Sequence, residues 1–281
     1  MSSERPEAAE LRRTIYGENA PDRTDLVGLM ALAAGSHDAD LLALVADVAR
    51  DSLLSECHIA CVDADWLMEV CGDGRGLGSR AEFEALTSVL RHAVSPPAEL
   101  VAFAAREIER AILTGERAFI GGPDGEPGRV TARDVAALQE IRRAALPERA
   151  LAEVLFDIAH ATATADNDPG FDTLFAESLW AYLTGEIAAG ARIDEFLSAL
   201  DAGPAMPEAA PRPALDGLAD SRYDEAAQAN SARFETASRL SSGGAKWALA
   251  HLSRGALSPA ERRLVATLRD PAAVSKFNRA A

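Results

Sequence analysis

The chain has 281 residues, 48% hydrophobic and 26% charged, which is enough for one large or two small cores and too apolar for a disordered chain. A formal charge of −16 excludes a surface built as a whole for nucleic acid or anionic membrane, since phosphate binding needs positive charge. The charge is uneven: eight Arg and Lys against Glu261 and Asp270 give residues 239–281 a charge of +6, leaving about −22 on the rest.

From the N-terminus, MSSERPEAAELRR has no apolar core of the kind a secretory signal requires, and no later apolar run is long enough to span a bilayer. A cytoplasmic location is expected. Helical periodicity then dominates, and strand alternation is nearly absent. The spacing predicts helices near 6–16, 24–34, 38–54, 63–71, 79–94, 96–114, 132–145, 148–163, 169–184, 190–201, 219–240, 243–254 and 259–269. In the helix after Pro97, Leu100, Phe103, Ala104, Ile108, Ala111 and Ile112 recur at spacings of three and four, which makes one buried stripe. Start signals support the boundaries. Ser79 and Glu82 have the spacing of a capping box, and Thr131 with Asp134 repeats it. Ser95 before Pro96-Pro97, Asp168 before Pro169 and Ser258 before Pro259 pair a capping side chain with a residue that needs no amide partner.

Two stretches share one plan. Leu26–Ser55 and Leu151–Gly185 each have an apolar helical run, an acidic break and a second apolar run ending in a Leu-Ser or Leu-Thr step. Such a repeat specifies stacked helix pairs, so the expected fold is all-α, with antiparallel helix pairs joined by turns containing Asp-Gly. Phe156, Phe171, Phe175, Leu179 and Trp180 are expected to be buried. Residues 203–218 (GPAMPEAAPRPALDGL) carry four prolines and read as a linker. Residues 1–202 are then a helical body containing the duplication, and 219–281 a basic helical C-terminal segment.

Candidate chemistry is sparse. Cys57-x3-Cys61 with His58 between them lacks the knuckle and fourth donor of a zinc site, so Cys57, Cys61 and Cys71 are expected as small buried hydrophobes with reduced thiols. The five histidines are scattered, and neither a nucleophile elbow nor a phosphate-binding glycine loop follows a strand. The break Gly72–Ser79, with the helix start that follows it, sounds like a calcium loop, yet it lacks carboxylates at the positions an EF-hand needs. Asp-Gly and Gly-Arg-Gly equally supply left-handed turn geometry. Asp166-Asn167-Asp168 offers alternating oxygens to a hard cation, with Glu153, Asp157 and His160 upstream on one helix face. A di-metal bundle would need that helix motif twice. The first repeat has only Ala31–Ala34 where it should recur.

The ordered segments LRRTIYG, WLMEVCGDGRGLGSRAEFEALTSVL, PPAELVAFAAREIERAILTG, GRVTARDVAALQEI and AEVLFDIAHATATADNDPGFDTLFAESLWAYLTG lie within about residues 11–185. Together they resemble an uncharacterised family of bacterial all-helical proteins. The units in which an Asp-Gly break precedes a helix are also distantly similar to the tellurite-resistance B-like helical domain. That second resemblance implies divalent-cation binding at Asp73 and Glu82, and more loosely at Asp124 and Asp134. Arg75 and three further glycines depart from its pattern.

Two functions are therefore expected. The leading one is a non-enzymatic cytoplasmic interaction or regulatory module. It would bind a protein partner, or a second copy, through the basic segment that carries Arg262, Arg263 and Arg269. The alternative is a metal-responsive protein binding calcium or magnesium at Asp73, Glu82, Asp124, Asp166 and Asp168.

Overall fold

The computed structural model describes residues 8–17, 20–72, 76–144, 149–188, 197, 200–201, 243–252 and 256–269. Of the described residues 74% are helical and 2% are in strands, so the fold is all-α as the periodicity implied. The helices are α1 (Ala8–Ile15), α2 (Arg23–Ala33), α3 (Ala39–Leu53), α4 (Cys61–Gly72), α5 (Arg80–His92), α6 (Ala98–Thr114), α7 (Ala132–Ala144), α8 (Arg149–Ala161), α9 (Pro169–Ala188), α10 (Gly243–Leu252) and α11 (Pro259–Arg269). A 3-10 turn, Ala118–Ile120, lies between α6 and α7. The chain divides into two compact units, Met1–Leu174 and Phe175–Ala281, with the division inside α9. Asp73, the helix expected at 219–240 and the Pro-rich stretch 203–218 lie outside the described residues.

In the first unit α5 is the central helix, packing against α2, α3, α4, α6, α7 and the 3-10 turn. Its sequence explains why. Ala81, Phe83, Ala85, Leu86, Val89 and Leu90 are all buried, and two polar residues among them satisfy themselves on backbone. The Thr87 hydroxyl donates to the Phe83 carbonyl at 2.8 Å. Ser88 donates across to the Ala46 carbonyl of α3 at 2.7 Å, tying together two adjacent helices. Buried hydroxyls bonded in this way avoid the desolvation cost of an unpaired polar group. On the far side α6 packs on α7 and α8. Its expected stripe is buried at Leu100, Ala104, Ile108, Ala111 and Ile112, while Phe103 is half-buried. Phe156 and Phe171 of this unit, and Phe175, Leu179 and Trp180 of the next, are buried as expected.

The caps follow their sequence signals with one exception. Ser79 and Glu82 form the reciprocal box at the start of α5. Thr131 and Asp134 do the same for α7, with the Thr131 amide donating to Asp134 Oδ2 at 2.7 Å. Ser258 and Glu261 repeat it at α11. Asp22 and Asp25, not anticipated, form another box at α2. Ser95 does not cap α6; the helix starts after Pro97, with no side-chain cap bond.

A second departure lies between α3 and α4. Leu54–Ser55 (β1) and His58–Ile59 (β2) form a minimal antiparallel hairpin, with Glu56 at φ 50° and Cys57 at φ 62°. Both turn residues are left-handed, as the tightest hairpin turns require, although neither is glycine or asparagine. The hairpin leaves Cys57 and Cys61 exposed, which corrects their expected burial; only Cys71 is buried. Burial, aided by the nearby Glu82 carboxylate, pushes the Cys71 thiol well above its ordinary value.

Candidate functional site

Of the acidic residues singled out by the sequence, the described ones, Glu82, Asp124, Asp166 and Asp168, are engaged in local structure. Glu82 Oε2 accepts from the amides of Gly78 at 2.7 Å and Ser79 at 3.0 Å, so its carboxylate closes the turn entering α5. Asp124 Oδ1 accepts from the Arg117 amide at 3.2 Å. Asp168 Oδ1 accepts from the Gly170 amide at 2.8 Å and caps α9. Asp166 is exposed and meets Arg129 at 3.4 Å. Among the described residues no three His, Cys, Asp or Glu side chains group to hold a metal ion. Glu153 pairs with Arg149 at 2.9 Å, and His160 lies against the Phe156 ring.

The segment between α6 and α7 is built around one side chain. Arg117 is 2% exposed, and its Nε meets both carboxylate oxygens of Asp134, at 3.0 and 3.1 Å. Its Nη2 donates to the Arg129 carbonyl at 2.6 Å. One guanidinium thus fastens the start of the loop to its end and to the first turn of α7. Asp134 does double duty, as ion-pair partner and as reciprocal cap with Thr131. Gly115 (φ 84°) and Gly125 allow the backbone to cross closely, with the Gly125 amide donating to the Gly115 carbonyl at 2.9 Å. The loop then binds the break before α9: the Val130 amide donates to Asn167 Oδ1 at 2.9 Å, and the Asp168 amide to the Val130 carbonyl at 2.9 Å.

The other glycine-rich break is anchored comparably. Glu107 of α6, almost fully buried, accepts from the Leu77 amide at 2.8 Å and from Arg110 at 3.0 Å, while Arg110 Nη2 donates to the Leu77 carbonyl at 2.9 Å. Gly76 sits at φ 87°, where a Cβ would strike Glu107 Oε2. The end of this break, at Gly76 and Leu77, and the loop 115–131 are therefore braced turns.

Among the clefts that the described residues of the first unit form, two have polar linings. One, of about 360 Å³, lies where Glu126, Arg129, Thr131, Asp166 and Asn167 meet. The other, of about 470 Å³, lies among His37, Leu42, Arg80, Phe83, Ile120 and Arg133. Arg80 and Arg133 were not singled out by the sequence reading. The signal was available: each is an arginine in the first turn of a capped helix, where the helix dipole disfavours positive charge.

In the second unit, α11 carries the arginines of the basic segment. Leu264, Val265 and Leu268 are buried, so its apolar side is already covered. Arg262 and Arg263 are exposed, and Arg269 forms an ion pair with Asp201. Trp247 of α10 packs edge-on against Tyr182 of α9 at 5.7 Å and stacks on His251 at 4.4 Å.

No family model matches the chain, and neither a curated protein nor a solved structure matches it. No described helix is long and apolar enough to cross a membrane.

Proposed function

We infer that the chain is a non-enzymatic cytoplasmic interaction or regulatory module that binds an acidic protein surface through α11. The carrying observation is the division of labour on that helix: its apolar side is buried, and Arg262 and Arg263 stay exposed on the opposite side. Adjacent arginines held on a packed helix present fixed positive charge. The acidic remainder of the chain, at about −22, makes a second copy a fitting partner. Such an encounter would be steered electrostatically and weakened by salt, because screening shortens from about 10 Å at 0.1 M to about 3 Å at 1 M.

The divalent-cation reading has less support. Glu82, Asp124 and Asp168 already direct oxygens at backbone amides, and Asp166 at Arg129.

The test is concentration-dependent self-association, measured at low and high salt for the wild type and for Arg262→Glu with Arg263→Glu. Substitution is preferable to removing residues 239–281, because that deletion would strip Trp247 from Tyr182, which is only 6% exposed.

A further inference from the structure

The geometry points to a binding site for a small organic oxyanion, a phosphate or carboxylate head on an apolar body, in the cleft between the first turns of α5 and α7. The two helices and the 3-10 turn Ala118–Ile120 pack together, which brings Arg80, first residue of α5, towards Arg133 in the first turn of α7. Both guanidinium groups approach Gly121. A Cβ built there would lie 2.8 Å from Arg80 Nη1 and 3.6 Å from Arg133 Nη1. Gly121 sits at φ 74°, and a Cβ on Gly122 would lie 3.1 Å from Arg133 Cδ, so the glycine pair makes the room in which the arginines meet.

The charges here are not balanced. Arg80 is anchored, donating to the Ile120 carbonyl at 2.6 Å and pairing with Glu84 at 2.5 Å. Glu140, on the same cleft, is drawn to Arg91 at 3.0 Å and Arg143 at 2.6 Å. Arg133 is exposed and makes no hydrogen bond or ion pair among the described residues. An unpaired arginine beside a second one, with both near helix N-termini, opposes the helix dipoles and concentrates positive potential at one place. That arrangement costs stability in the free protein and is relieved by an anion. The guanidinium fork suits the planar or tetrahedral oxygens of carboxylate and phosphate.

The rest of the wall is mixed: His37 and Glu140 lie on it together with an apolar patch. Phe83, wedged edge-on against Phe119 at 5.8 Å, lies beside Leu42, Ile120 and Ala137. A cleft of about 470 Å³ is of the size that holds small ligands rather than a bare ion. Head and body are thus both provided for, independently of the role inferred for α11.

The experiment is calorimetric titration of the full chain with phenyl phosphate, benzoate and inorganic phosphate. Phenyl phosphate or benzoate is expected to bind more tightly than inorganic phosphate, and which of the two is tighter identifies the head. Arg133→Ala is expected to weaken that binding about tenfold or more, while Arg106→Ala, on the surface of α6, leaves it unchanged. Arg133→Gln serves as a second variant should the alanine variant unfold. Three results would overturn the proposal: no binding of either organic anion, binding that the Arg133 variants leave intact, or inorganic phosphate binding as tightly as the esterified or aromatic probe.

Discussion

Arg117 Nε lies 3.0 Å from Asp134 Oδ1, and both side chains are almost wholly removed from water. The pair joins the loop after α6 to the first turn of α7, so the geometry of the whole 115–131 segment depends on it. Removing one partner of a buried pair strands the other's charge, which typically costs about 3–5 kcal/mol. Asp134→Ala should therefore destabilise strongly in urea denaturation, and Arg117→Met comparably. The double variant should cost less than the two summed, by about 0.5–3 kcal/mol. Strict additivity would show that the two residues act separately.

The glycines separate by environment. Gly115→Ala combines a left-handed φ of 84° with a Cβ only 2.3 Å from the Gly125 carbonyl oxygen, so the loop must move. A loss above the roughly 1–2 kcal/mol of left-handed strain alone is expected. Gly28 lies inside α2 with nothing near its Cβ position, so Gly28→Ala should stabilise by about 0.5–1 kcal/mol. Thermal melts of the two variants should shift in opposite directions, and shifts of the same sign would contradict this reading.

Glu109 supplies a pH signature. Burial first, and then the Asp157 carboxylate, hold its carboxyl above the ordinary value of 4.5, against the opposing pull of Arg106. A raised carboxyl contributes stability that is complete below the unfolded value and is lost as pH rises through the folded one. At neutral pH the ionised group is therefore a burden. Glu109→Gln should raise the melting temperature at pH 7, and the advantage should shrink on acidification towards pH 4. A lower melting temperature at pH 7 would mean that the Arg106 pairing outweighs burial.

Helices α5, α7 and α11 were legible because local chemistry marks them twice, by an apolar stripe and by a capping side chain. α7 opens at Thr131 and Asp134, and α11 at Ser258 and Glu261, on the same signal. What could not be read was which residues meet across loops. Asp134 reads as a cap from sequence, and nothing local reveals that Arg117, seventeen positions earlier, also claims it. The hairpin at Leu54–Ile59 went unseen because Glu56 and Cys57 are poor left-handed formers, and the exposure of Cys57 and Cys61 was lost with it. The cleft at Arg80 and Arg133 needed the starts of α5 and α7 to be brought together by the packing of these two helices.

Calcium or magnesium at millimolar concentration should leave the melting temperature unchanged, since a ligand stabilises only through preferential binding to the native state. A rise that disappears in Asp166→Ala with Asp168→Ala would restore the cation reading.

The most direct test of the proposed role is sedimentation velocity of the full chain across a concentration series, at about 0.1 M and about 1 M salt. The account predicts association of the wild type at low salt, its loss at high salt, and its loss in Arg262→Glu with Arg263→Glu at an unchanged melting temperature. A wild type that stays monomeric at low salt, or a variant that associates as the wild type does, would contradict α11 as the docking element.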